Sequence, residues 1–141
     1  MITITKICLR CGKPFSVERK FPHDYVSQYC SKHCRHQTTW INTKNKIKET
    51  GEFPSSDRRI ARKYFKEEKS WKCEICGLSE WMGKEIPLIA DHIDGNSENN
   101  KVLNYRLVCP NCDAQLPTFK GKNRGKGRIG RMKRYREGKS W

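Results

Sequence analysis

Four cysteines, Cys73, Cys76, Cys109 and Cys112, form two Cys-x-x-Cys pairs, and beside them stand Asp91-His92, Asn104 and Asp113. Two kinds of metal chemistry are implied. Four soft thiolates in this spacing suit tetrahedral Zn(II), each pair folding its backbone around one edge of the ion. The hard oxygens of Asp91 and Asp113 suit Mg(II) or Mn(II), with positions left for water and phosphate oxygens. On a helix with about 3.6 residues per turn neighbours point roughly 100° apart, so Cys112 can face the zinc while Asp113 faces Asp91. Alone, Asp113 would only offset the positive end of a helix dipole. His92 adds a proton acceptor, because an imidazole with the ordinary pKa of about 6.5 can take a proton from water at neutral pH. Strict strand alternation would send Asp91 and His92 to opposite faces, so the strand must bend or end there, which Asp94-Gly95 permits.

The other four cysteines repeat the zinc pattern near the N-terminus: Cys8-Leu9-Arg10-Cys11 is answered by Cys30 and Cys34. A second zinc finger is expected, with Cys34 as the fourth ligand and His33 as the alternative. His23 and His36 have no recognisable ligand partner. Eight cysteines could also make a disulfide framework, but that requires export, and the stretch Met1 to Lys6 has no charged region leading into an apolar one.

Composition agrees with a fold built on metal. In 141 residues the hydrophobic fraction is 35% and the charged fraction 32%, which leaves little material for a large core. No apolar run approaches the roughly 18 residues of a membrane-spanning helix, so a soluble, intracellular (cytoplasmic) protein is expected. The net charge of +15 is unevenly spread: residues 73 to 113 hold seven acidic and three basic side chains, and the excess of Lys and Arg lies on either side. Basic arms around a mildly acidic centre suit a polyanion, nucleic acid being the usual one. A ribosome or an anionic membrane would attract the same charge.

These groups need elements to position them. Residues 1 to 41 are expected to form the first finger, with strands through Ile2 to Ile7 and near Phe15 to Val17, then a helix from about Ser31, whose hydroxyl can cap it. Residues 42 to 56 look like a polar linker ending in Gly51-Glu52-Phe53-Pro54-Ser55-Ser56. From Asp57 to about Lys69, Ile60 with Tyr64 and Ala61 with Phe65 share one helical face. That leaves Arg58, Arg59, Arg62, Lys63 and Lys66 to meet phosphates or water. The central module then follows as a strand over Ile86 to Ile93, a turn-rich loop to Asn100, a strand over Arg106 to Val108, and a helix over Pro110 to Leu116. Pro110 suits a first helical turn and Pro117 stops the helix. Residues 119 to 141 combine five glycines with many basic residues and no apolar periodicity, and are expected to be a basic flexible tail.

Cys-x-x-Cys, Asp-His, an Asn five residues before the third Cys, then Cys-x-x-Cys: over about residues 58 to 119 this order resembles the HNH endonuclease family. Asp91-His92-Ile93-Asp94-Gly95-Asn96 with Leu107-Val108-Cys109-Pro110-Asn111-Cys112 looks like its phage-associated branch. The resemblance implies a small, zinc-stabilised α+β protein, with a zinc-clasped, treble-clef-like ββα-metal module over residues 57 to 118. It implies His92 as the general base that activates water, Asp91 and Asp113 as ligands of one divalent cation, and Asn104 as the residue that pins the loop and holds His92. The implied reaction is hydrolysis of double-stranded DNA to 5′ phosphate and 3′ hydroxyl ends. One position departs from the pattern. The family's last letter is usually His, sometimes Asn, and here it is Asp113, whose charge should favour Mg(II) or Mn(II) over Zn(II) or Ni(II). A phage or mobile-element origin fits the same likeness. The competing reading is a non-catalytic zinc-finger protein that holds nucleic acid through its basic arms around a degenerate site.

Overall fold

A computed structural model describes residues 1–120 together with Lys133, Arg136, Glu137 and Gly138. Most of the expected basic tail therefore lies outside the described residues. The chain divides into two compact units, Met1–Lys46 and Ile47–Trp141.

In the first unit β1 (Ile2–Ile7) pairs antiparallel with β2 (Pro14–Arg19), from Ile2 opposite Arg19 to Ile7 opposite Pro14. The connection is the first cysteine knuckle. Cys8 N–H donates to Lys13 O at 2.9 Å and Gly12 N–H to Cys8 O at 2.9 Å, the latter turn requiring the positive φ of 69° that Gly12 adopts without strain. Helix α1 (Lys32–Thr50) starts where the Ser31 hydroxyl accepts a hydrogen bond from Cys34 N–H at 3.2 Å.

Helix α1 also corrects the reading of residues 42 to 56 as a linker. It continues to Thr50 and stops at Gly51, which has a φ of 69° and donates back to Ile47 O at 2.8 Å, a left-handed helix cap. The segment is polar because most of its side chains face water, yet Ile47 and Phe53 are buried.

In the second unit α2 (Arg58–Glu68) is capped by Asp57, whose carboxylate accepts from Arg59 N–H at 2.9 Å. Its apolar face buries Ala61, Tyr64 and Phe65. Phe53 packs edge-on against Tyr64, Phe65 and Tyr105, with ring centroids 5.6, 5.6 and 4.9 Å away. Next come a short hairpin, β3 (Glu80–Trp81) with β4 (Lys84–Glu85), and then β5 (Ile89–His92) antiparallel to β6 (Tyr105–Val108). A 3₁₀ turn (Val102–Asn104) leads into β6, and α3 (Pro110–Gln115) follows it. Leu88, Ala90, Leu107 and Val108 are buried.

The strand expected over Ile86 to Ile93 is shorter than the pattern suggested. Ile86 N–H bonds back to Ser79 O at 3.0 Å, and Pro87 has no N–H to give, so pairing with β6 begins only at Ile89. The small α+β arrangement and the order β5, β6, α3 are as expected. No helix among the described residues is long and apolar enough to cross a membrane.

Candidate metal and nuclease centre

The cysteines converge as two quartets, Cys8, Cys11, Cys30 and Cys34 in the first unit and Cys73, Cys76, Cys109 and Cys112 in the second, all sulfurs within 4.8 Å of one another in each. The Sγ–Sγ distances are 3.6 Å for Cys11–Cys30, 3.6 Å for Cys30–Cys34 and 3.8 Å for Cys76–Cys109. Four sulfurs about 2.3 Å from a tetrahedral Zn(II) stand roughly 3.8 Å apart, so both quartets fit that ion and neither fits a disulfide. The fourth thiol of the first quartet is that of Cys34, and the exposed His33 belongs to neither group.

Backbone geometry prepares the thiolates. Burial raises the pKa of Cys73, but N–H groups from Cys76, Cys109 and Ile75 outweigh it and bring the thiol down to about 6. Cys8 is brought to about 6 in the same way by N–H groups of Cys30, Cys11 and Arg10. Cys112 is pushed up to about 12 by burial and the surrounding thiols. One thiolate therefore forms readily in each quartet, and a cation is what lets its neighbours follow.

Beside the second quartet, α3 packs against β5 and carries Asp113 in its first turn. Burial raises the pKa of Asp113, and the charge of Asp91 raises it further, against the opposing pull of Arg58, Lys120 and Arg106. A carboxyl whose ionisation is opposed by a neighbouring carboxylate belongs to a donor set that a hard dication suits. Asp91 is itself engaged: Arg106, opposite it on β6, donates to Asp91 Oδ2 from Nε at 3.1 Å and from Nη2 at 3.0 Å. Among the described residues only the cysteine quartets bring three or more candidate ligands within 4.8 Å, so Asp91, His92 and Asp113 do not form such a cluster.

His92 is the last residue of β5 and is 3% exposed. Its ring centroid lies 4.2 Å from that of Tyr105, and its Nε2 is buried without a hydrogen-bond partner. Burial lowers its pKa, as does Arg58, while Asp91, Asp94 and a hydrogen bond with Asn100 act in the other direction. The net result keeps the imidazole neutral at pH 7. β5 does end here, and the turn that follows is closed by Gly95 N–H donating to His92 O at 3.0 Å.

Asn104 laces that turn. Its Nδ2 donates to Asp94 Oδ1 at 2.9 Å and to Asn99 O at 3.0 Å, its Oδ1 accepts from Asp94 N–H at 3.2 Å, and its carbonyl accepts from Ile93 N–H at 2.8 Å. Burial opposes ionisation of Asp94, but hydrogen bonds from Asn104, Asn96 and Asn99 prevail and lower its pKa.

The chain is 44% identical over 88 residues to the H-N-H endonuclease F-TflIV of Escherichia phage T5. Over those residues it is similar to an H-N-H endonuclease. The alignment covers 58% of this chain and 39% of the relative, so the chain spans about two fifths of that protein's length. No protein-family model matches the chain. No solved structure matches it.

Two residues near the candidate centre were not singled out from the sequence. Arg106 is a lone charge in the buried strand Tyr105–Val108, and such a charge calls for a partner, which was the available signal. Arg58 was grouped with the outer basic face of α2, whereas its charge acts on His92, Tyr105 and Asp113.

Proposed function

We propose that the chain is a metal-dependent endonuclease that hydrolyses phosphodiester bonds of double-stranded DNA with a His general base and a single divalent cation. The observation that supports this is the packing of α3, which carries Asp113, against β5, which carries Asp91 and the buried His92, in a chain similar to an H-N-H endonuclease. Asp91 and Asp113 would hold Mg(II) or Mn(II), which when bound would stabilise the charge growing on the phosphate and the departing 3′ oxygen. His92 takes the proton from a water lined up opposite that oxygen, at the nitrogen that lacks a partner. Asn104 fixes the turn from which His92 emerges. The products carry 5′ phosphate and 3′ hydroxyl ends. Residues 57 to 118 act as the nuclease module and residues 1 to 41 as a separate zinc finger, and the phage origin of the relative supports a phage or mobile-element setting with action in the cytoplasm.

Supercoiled plasmid incubated with zinc-loaded protein and Mg(II) or Mn(II) tests this reading. Nicked or linear product is expected with the cation, none without it, and about 100-fold slower cutting by His92→Ala. Intact plasmid under all conditions, with folded protein bound to it, would overturn it. One observation favours that second reading, a DNA-holding zinc protein with a silent site: Arg106 already occupies one oxygen of Asp91.

A further inference from the structure

Helix α2 carries Arg59, Arg62, Lys63 and Lys66, all exposed. Their spacing of i, i+3, i+4 and i+7 lines them along one side of the helix, away from the buried Ala61, Tyr64 and Phe65. They do not stand on a convex face. They form one wall of a groove of about 500 Å³, whose other wall includes Trp71 and Glu85. The indole is fixed in place, since Trp71 Nε1 donates to Ile86 O at 3.1 Å, and the ammonium of Lys66 lies 5.0 Å from the ring centre. The lining holds four cations and the carboxylate of Glu85, and Arg59 is further paired with Asp57 at 2.8 Å, so the groove is basic with two of its cations in ion pairs. The Lys66–Glu85 ion pair at 2.6 Å is more than half exposed at both ends, 54% and 57%, so solvent screens it and it does not lock the groove.

We propose that this groove is a track for the phosphodiester backbone of duplex DNA outside the cleavage site, with Arg62 and Lys63 at its centre. The stripe extends seven residues, about 10 Å at roughly 1.5 Å per residue. That is about three nucleotide steps of one strand at roughly 3.4 Å each. Arg58, adjacent to the stripe on the same helix, acts on His92 and Asp113, so positive charge continues from the candidate centre into the groove. A strand lying in the groove is thereby held in register with the bond to be cut, since phosphate contacts position a duplex without reading its sequence. The assignment names the substrate surface of the nuclease proposed above and rests on that reading for its purpose.

The test is binding of the full zinc-loaded chain to a fluorescein-labelled duplex of about 20 base pairs, followed by anisotropy at a series of salt concentrations without Mg(II) or Mn(II). Each phosphate contact contributes about 0.9 to the slope of log K against log salt, so Arg62→Ala/Lys63→Ala should reduce the slope by about 1 to 2 and weaken binding about tenfold or more. Lys72→Ala/Lys101→Ala removes the same charge from exposed positions elsewhere in the second unit and should change the slope by less than half as much. Arg62→Gln/Lys63→Gln repeats the neutralisation with longer side chains should the alanines disturb the fold. Equal effects of the two sites, or an unchanged slope in the groove variants, would overturn the proposal and leave the stripe to another partner such as an acidic protein. Loss of slope in a chain that cuts no plasmid would uphold the groove and sink the nuclease; cutting with the slope unchanged would do the reverse.

Discussion

Arg106 places two donors, Nε at 3.1 Å and Nη2 at 3.0 Å, on one oxygen of Asp91, directly across the pair β5–β6. The side chains are 22% and 11% exposed, so the pair is mostly shielded from water. Removing one partner of such a pair strands the other charge, and here the stranded carboxylate also acts on Asp113. Arg106→Ala should therefore destabilise the zinc-loaded protein without Mg(II) by about 2 to 4 kcal/mol. Mg(II) should raise the melting temperature of the variant more than that of the parent, because a cation between the carboxylates replaces the lost guanidinium. Equal Mg(II) responses would show that Asp91 and Asp113 do not share a cation.

The pH profile of cleavage reports His92. Burial and Arg58 hold its folded pKa below 6.5, so the base should be available at neutral pH and the rate should fall only as pH drops below that value. Arg58→Ala removes one of the depressing charges and should move the midpoint upward. The stability effect has a definite sign: unfolded His92 binds a proton near 6.5 and the folded residue only at lower pH, so this group costs stability as pH falls from 6.5 through its folded pKa. A rate profile with its midpoint above 6.5 would contradict the role of burial.

Asn104→Ala removes three side-chain hydrogen bonds from the turn after β5. The amide of Asp94 should then exchange faster with solvent, and cleavage should slow by about 10-fold or more as His92 loses its fixed exit from the strand. Unchanged exchange at Asp94 would mean that the turn holds its shape without Asn104.

Much of the framework could be read from the chain because its signals are local. The quartets are spaced pairs, Ser31 and Asp57 are capping residues, Pro110 opens a helix, and Ala61, Tyr64 and Phe65 repeat at helical spacing. Other features depend on distant partners. Residues 42 to 50 have Ile47 as their one large apolar side chain, so no periodicity announces that α1 continues. Phe53 lies in a Gly-, Pro- and Ser-rich run typical of a linker, and only the packed structure shows it among Tyr64, Phe65 and Tyr105. At the candidate centre, Asp91, His92, Asn104 and Asp113 stand out by type and spacing. The Asp91–Arg106 pair does not, because it is set by strand register, which a one-residue slip would change.

Removing one ligand from each zinc quartet should have separable effects. Cys73→Ser should lower zinc content from two ions to one and abolish the fold of the second unit, where zinc binding supplies folding free energy. Cys8→Ser should cost the other ion and leave the aromatic core of Phe53, Tyr64, Phe65 and Tyr105 intact, because none of these residues belongs to the first unit. Metal analysis with near-ultraviolet circular dichroism distinguishes the two cases, and retention of both ions by Cys73→Ser would refute the assignment of that quartet.

The turn of hairpin β3–β4 stores strain that one substitution should release. Met82 has a φ of 51° and Gly83 a φ of 73°, the positive pair typical of a tight two-residue hairpin turn. Glycine accepts this conformation freely, whereas an ordinary side chain pays about 1 to 2 kcal/mol for it. Met82 is 86% exposed and so recovers little of that cost by packing. Asn tolerates the left-handed region better, and Met82→Asn creates the Asn-Gly turn that such hairpins favour. The substitution should stabilise the second unit by about 0.5 to 1 kcal/mol, whereas Met82→Val, branched at Cβ, should destabilise it. Denaturant melts of the two variants decide the matter: if Met82→Asn is no more stable than the parent, then Met82 makes a contact at the hairpin tip that offsets its backbone strain.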